Sequence, residues 1–113
     1  MKVRKTWQEI IQMPIGQLPR VPVDPVPFTT SPILYHFPSI YGTYAVDLLI
    51  SNNDLTNSLT FRINRSATEK TLNPGAEIAL ENVIIEYLEI TPHDTTGSGE
   101  FLAFVLPREL LFR

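Results

Sequence analysis

The sequence predicts an all-β protein, a small antiparallel β-sandwich of jelly-roll-like build that carries an extended, Pro-rich N-terminal arm. Three observations predict it. Apolar residues alternate with a period of two from residue 33 onward, turn signals recur at short intervals, and no apolar pattern of helical period runs beyond about two turns. A length of 113 residues is one domain, with no room for a catalytic domain beside a recognition domain. Hydrophobic residues make up 43% of the chain and charged residues only 19%, a composition that builds a core and excludes a disordered polyelectrolyte. The organisation expected is an arm over residues 1–32, a sandwich over 33–106 and a short apolar tail over 107–113.

At the N-terminus, Thr6 and Glu9 have capping-box spacing, and Trp7, Ile10 and Ile11 stand at i, i+3 and i+4. The spacing allows a helix of about two turns that must end before Pro14; so short a helix is stable only when docked, with Trp7 as its anchor. Seven of the ten prolines then fall between residues 14 and 38. Each fixes its own φ and biases the residue before it away from helix, so this stretch is extended or turning and makes a poor central strand. The residues between the prolines are apolar: Val21, Val23, Val26 and Phe28 among them. An apolar extended arm needs a surface to lie on. It can wrap its own domain or reach across a neighbouring subunit, and the second is the reading taken forward.

From residue 33 the period of two takes over. Thr43 to Ser51 places Tyr44, Val46, Leu48 and Ile50 on one face, and Thr43, Ala45, Asp47, Leu49 and Ser51 on the other. Ser58 to Asn64 alternates again after the polar residues Asn52 to Asn57, so the pair reads as a hairpin. Asn73-Pro74-Gly75 fits a type II turn, with proline presetting φ and glycine taking the position where φ is positive. Strands are expected before it at Lys70 to Leu72 and after it at Ala76 to Leu80. Val83 to Thr91 and Glu100 to Leu106 form a second expected pair, apolar on both faces, so that one face must be covered by the arm or by a neighbour. Leu110, Leu111 and Phe112 close the chain with three adjacent large apolar residues, which suits a docked tail.

No catalytic, cofactor-binding or metal-binding residue is expected. The two histidines, His36 and His93, lack the spacing by which one element presents two metal ligands, and there is no cysteine for a zinc knuckle, a thiol nucleophile or a disulfide. Gly97-Ser98-Gly99 falls short of a nucleophile elbow. Glu86 and Glu89 are three apart on a strand and point to opposite faces, so they cannot act as a carboxylate pair. None of the five glycines sits in a phosphate-cradling pattern. The first 20 residues carry a net +3 against -6 for the rest, too little for nucleic acid to be the expected partner. No apolar run approaches the ~20 residues that span a bilayer, and no signal-peptide stretch precedes Pro14, so the expectation is a soluble protein outside the general secretory route.

Thr71-Leu72-Asn73-Pro74-Gly75-Ala76-Glu77-Ile78, followed by Asn82-Val83-Ile84-Ile85-Glu86-Tyr87-Leu88-Glu89-Ile90, resembles the small β-sandwich accessory proteins of tailed-phage virions. The resemblance is one of style and covers about half the chain, residues 43–91. It implies a structural protein that decorates or joins capsid or tail components, forms homo-oligomers and contacts other virion proteins, assembled in the host cytoplasm. The contact residues expected on this reading are Trp7, Ile10, Ile11, Val21, Val23, Val26 and Phe28 in the arm and Leu110, Leu111 and Phe112 in the tail. The alternative is a carbohydrate- or receptor-binding sandwich, with loops 52–57 and 92–99 as the recognition edge and Tyr35, Tyr41, Tyr44 and Tyr87 as stacking platforms.

Overall fold

A computed structural model describes residues 14–108, which fold as two facing antiparallel sheets. The strands in chain order are β1 (Val21–Pro22), β2 (Val26–Phe28), β3 (Ile33–His36), β4 (Ala45–Asn52), β5 (Leu59–Ile63), β6 (Lys70–Leu72), β7 (Glu77–Leu80), β8 (Tyr87–Thr91) and β9 (Gly99–Val105). A five-residue helix, α1 (Phe37–Tyr41), follows β3. Gly42 ends it at φ 74°, the left-handed position that glycine fills without steric cost.

One sheet, here the arm sheet, runs β1-β9-β4-β7 with β2 also on β9; the other, the second sheet, runs β3-β8-β5-β6. Among these strands, chain neighbours pair only once, at β5 and β6. The other connections from β2 onward cross between the sheets, and that order is the jelly roll. The two hairpins expected from the sequence are therefore corrected. β4 pairs with β7 and β9, whereas β5 pairs with β6 and β8. Alternation and turn chemistry announce a strand but not its partner, and connections of six or seven residues are long enough to cross the ~10 Å between stacked sheets.

The expected strand at Val83 to Thr91 is shortened for the same reason. Ile85 exchanges backbone bonds with Ala45 of the arm sheet at 2.8 and 3.1 Å, and two residues later Tyr87 joins the second sheet. A bulge in β4 corrects its expected faces. Ala45 and Asp47 face consecutive residues of β9, leaving Val46 as the extra residue. The alternation holds from Asp47 to Ser51, but Ala45 joins the main core while Tyr44 and Val46 join a satellite core with Leu18 and Leu106. The turn at Asn73-Pro74-Gly75 forms as expected, with Gly75 at φ 69° and the Ala76 N–H donating to the Asn73 carbonyl at 3.1 Å.

The space between the sheets is filled by Phe37, Leu48, Ile50, Leu59, Phe61, Leu88, Ile90 and Phe101, each at most 2% exposed. Phe28 of the arm is part of this core. Its ring lies over Gly99, where a Cβ would collide with the ring and with the Ser51 carbonyl, so only glycine fits there.

Candidate interaction surface

With its interior packed by side chains, the molecule offers its chemistry on the outside. On β4 and β9 the inward residues are buried, and Asp47, Leu49, Ser51, Glu100, Leu102 and Phe104 face outward. Register aligns Ala79, Leu49 and Leu102 in one row across β7, β4 and β9, with Phe104 opposite Asp47 in the next row. Leu49, Leu102 and Phe104 are half-buried and Ala79 is exposed. A shallow hollow of about 220 Å³ lies among Asp47, Leu49, Ala79, Glu81 and Phe104. The two-sided apolar character expected of both late strands thus survives only in β9, because β8 turns Tyr87, Glu89 and Thr91 outward.

The outer face of the second sheet is polar by contrast. Register sets Leu34, Glu89 and Arg62 in one row, and Arg62 reaches Glu69 at 3.2 Å. Beside it, Tyr87 lies between the His36 ring, stacked at 4.4 Å, and the Arg65 guanidinium, 3.9 Å from its centroid. His36 also meets Ser39 through Nδ1 and Glu86 Oε1 through Nε2, the latter at 3.2 Å.

The described part of the arm lies on its own protomer. Val21 pairs with Val105, Val26 with Phe101 and Phe28 with Gly99, and the Val23 N–H donates to the Ala103 carbonyl at 3.0 Å. Its prolines suit this edge position, where a missing N–H costs no ladder bond. Arg20 clasps the arm to the sheet, with Nη1 at 2.8 and 2.7 Å from the two Asp47 carboxylate oxygens and 3.0 Å from Asn82 Oδ1. Of the expected contact residues, Phe28 is corrected: it is 5% exposed and fills its own core, so it is not available to a neighbour. Val23 and Val26 pack half-buried against the same core, and Val21 remains 47% exposed. Trp7, Ile10, Ile11, Leu110, Leu111 and Phe112 lie outside the described residues.

Loops 52–57 and 92–99 do come together, but on each other. Asp54 is 6% exposed and its carboxylate accepts from the Thr56 and Asn57 N–H groups at 2.9 and 3.0 Å and from the Thr96 hydroxyl at 2.5 Å. The Thr96 hydrogen bond, joined by those backbone bonds, holds its pKa below the ordinary carboxylate value. The four tyrosines are also committed. Tyr35 packs edge-on to Phe101 at 4.9 Å, Tyr41 stacks on Phe37 at 5.9 Å, Tyr44 is 8% exposed, and both faces of Tyr87 are covered. Burial pushes the Tyr41 phenol upward, and Tyr35 and Asp24 add to the shift. Among the described residues no group of three or more His, Asp or Glu side chains is placed to hold a metal ion, and no helix is long and apolar enough to cross a membrane.

No family model matches the chain, and no curated protein matches it. Among solved structures it is similar to hydroxypropylphosphonic acid epoxidase from S. wedmorenis, at a TM-score of 0.43 and 16% identity over 77% of this chain and 43% of that one. The iron(II) form of HppE gives a TM-score of 0.43 and 15% identity over 84% of this chain and 58% of that one. The chain spans about half the length of these structures, and likeness this slight assigns it neither an activity nor a site.

The arm's own pairing was the signal sequence reasoning missed. Val26 and Phe28 stand two apart among prolines, as an edge strand with one buried side requires.

Proposed function

We propose that this chain is a structural, non-enzymatic subunit of a larger assembly, a virion component of the capsid-decoration or tail kind, held to its neighbours by apolar contact. The observation that carries the reading is the outward row Ala79, Leu49 and Leu102 with Phe104 beside it, on a sheet whose inner face is already sealed against the core. An antiparallel sheet with one solvated face normally alternates, so this apolar row stands out as a surface to be covered. The carbohydrate-binding alternative is the less favoured one, since Tyr44 is buried, Tyr35 packs on Phe101 and Tyr87 is held by His36 and Arg65, which leaves Tyr41 as its platform.

Native mass measurement of the full chain over a range of concentrations tests the proposal. The expected result is concentration-dependent association that Leu102→Lys weakens at least tenfold, on the order of the 1.4 kcal/mol that a buried apolar side chain readily supplies. Association of equal strength in Leu102→Lys would remove this face from the assembly.

A further inference from the structure

The outer face of the arm sheet is apolar in its middle and acidic around it. Register sets Glu77, Ser51 and Glu100 in one row across β7, β4 and β9, next to the row Ala79, Leu49 and Leu102. Glu77 and Glu100 are exposed, and so is Glu81 just past β7. Among the outward residues of these three strands no base answers the acids. Arg20 reaches the face from the arm, and its guanidinium is held by Asp47. A second copy of the same face is therefore a poor cover, because acid would meet acid. What fits is a segment that sets large apolar residues beside a run of bases.

The chain carries such a segment. Residues 1–13 lie outside the described residues, and their sequence puts Lys2, Arg4 and Lys5 ahead of Trp7, Ile10 and Ile11, with Glu9 as the single acid. Trp7 is also the one tryptophan of the chain. The hollow of about 220 Å³ is lined by Leu49, Ala79 and Phe104 together with Asp47 and Glu81. Apolar walls with acceptors beside them suit an indole, whose N–H needs a partner when its ring is buried. The spacing agrees. Rows two residues apart on a strand are separated by about 7 Å, so the acidic row lies roughly 7 to 14 Å from the two rows around the hollow. Lys5, Arg4 and Lys2 stand two, three and five residues before Trp7, a stretch of chain that spans at most about 7 to 18 Å. A base can therefore lie over Glu77 or Glu100 while Trp7 fills the hollow.

We infer that residues 1–13 of one copy cover the outer face of the arm sheet of the next, with Trp7 seated in the hollow and the bases of residues 2–5 over Glu77 and Glu100. The inference rests on the assembly reading above and names the occupant of that face. Thirteen residues span up to about 45 Å of extended chain, well beyond the 26 × 23 Å cross-section of the protomer, so the segment is long enough to leave its own copy and reach another. A segment on one side and a sheet face on the other make the contact heterologous: each copy gives one segment and receives one.

The test is native mass measurement of the full chain and its variants over a range of concentrations. Trp7→Ala and Leu102→Lys should each weaken association about tenfold or more, the scale of a lost aromatic anchor and of a charge set in its seat. Lys2→Glu, Arg4→Glu and Lys5→Glu together should weaken it as well, and adding Glu77→Lys with Glu100→Lys to that same chain should restore it. The decisive arm is a mixture. Trp7→Ala keeps the face and Leu102→Lys keeps the segment, so at a concentration where neither associates alone the two should form a one-to-one pair and nothing larger. If the segment variants associate like the parent while Leu102→Lys does not, the occupant is wrong and the face still joins copies. A mixture that stays monomeric overturns the inference, because the segment then covers its own protomer or none. If Leu102→Lys associates like the parent, or the parent is a monomer throughout, the assembly reading falls and takes this one with it.

Discussion

The two ends of the sandwich are each sewn by an asparagine placed at or just after the end of a central strand, and the two asparagines sit in opposite surroundings. Asn52 ends β4 and is 3% exposed; its Nδ2 lies 3.1 to 3.2 Å from the carbonyls of Asn57, Leu72 and Asn73, and its Oδ1 accepts from the Asp54 N–H. Two N–H bonds serve three carbonyls there, so one is shared. Asn64 follows β5 and is exposed; it donates to the Ile84 carbonyl at 2.9 Å and accepts from the Glu86 and Tyr87 N–H groups at 2.7 and 3.2 Å. The chemistry is nearly the same, but water can replace the side chain at one end and not at the other. Burial, not bond count, should therefore rank the two.

The largest expected effect is at the buried end. Asn52→Ala strands carbonyls from β6 and its turn and frees the Asp54 N–H, at a cost of about 2 to 4 kcal/mol. For a domain of this size that is a fall in Tm of about 10 °C or more in a thermal melt. A loss no greater than that of Asn64→Ala would break the comparison.

Asp54→Asn sharpens it through pH. The fold depresses the Asp54 pKa, so the carboxylate's contribution is fully present above the ordinary value of 3.8 and is lost as pH falls through the lower, folded value. Asparagine keeps the shape and an acceptor oxygen for the Thr56 and Asn57 N–H groups, but it does not titrate. The variant should be less stable than the parent near neutrality, and the gap should narrow as pH falls below 3.8. Chemical denaturation at several acid pH values reads this directly; a gap that stays constant would mean that the charge contributes nothing.

How far the sequence announced all this differs between the two ends and between strands. The alternation at Leu48, Ile50, Leu59 and Phe61 marks core positions by itself, because a strand buried on one side must repeat every two residues. The turn at Asn73-Pro74-Gly75 was legible because proline presets the φ of its second position and glycine takes the positive φ that its third position requires. Strand partners were not legible. A jelly roll pairs β4 with β9 across more than forty residues, and nothing local in Leu49 or Leu102 names the other. The bulge at Val46 was hidden for a related reason, since an extra residue in an apolar run leaves the run apolar. Asn52 and Asp54 looked like ordinary turn residues in a possible recognition loop; their partners arrive from elsewhere in the chain, Leu72 and Asn73 at Asn52 and Thr96 at Asp54. Of the surface, the apolar outer side of β9 was readable from Leu102 and Phe104, whereas the place of β3 as the outermost strand of its sheet among the described residues needed the sheet order.

The exposed end supplies the smaller effects. Asn64→Ala should cost about 1 to 2 kcal/mol, from lost hydrogen bonds that water partly replaces and from alanine in a left-handed position at φ 54°. Asn64→Gly separates the two causes. Glycine accepts the positive φ but keeps none of the side-chain bonds, so the difference between the two variants measures the relief of backbone strain net of glycine's greater unfolded-state entropy, and it should be the smaller share.

Arg65→Ala is the last and weakest break. The guanidinium 3.9 Å from the Tyr87 centroid sits at an exposed site, where a cation–π contact is worth about 0.5 to 1 kcal/mol. Arg65 itself is at φ 57°, so alanine brings the same backbone penalty as arginine and the substitution reports the contact without a change in strain. Removing it uncovers one face of Tyr87 while His36 still covers the other. If Tyr87 is held by its strand and by His36, as its place in β8 implies, melting should shift by only a few degrees, on the order of 5 °C. A loss approaching that of Asn52→Ala would mean that the exposed end is anchored through the Arg65 stack after all, and that burial is not what separates the two ends.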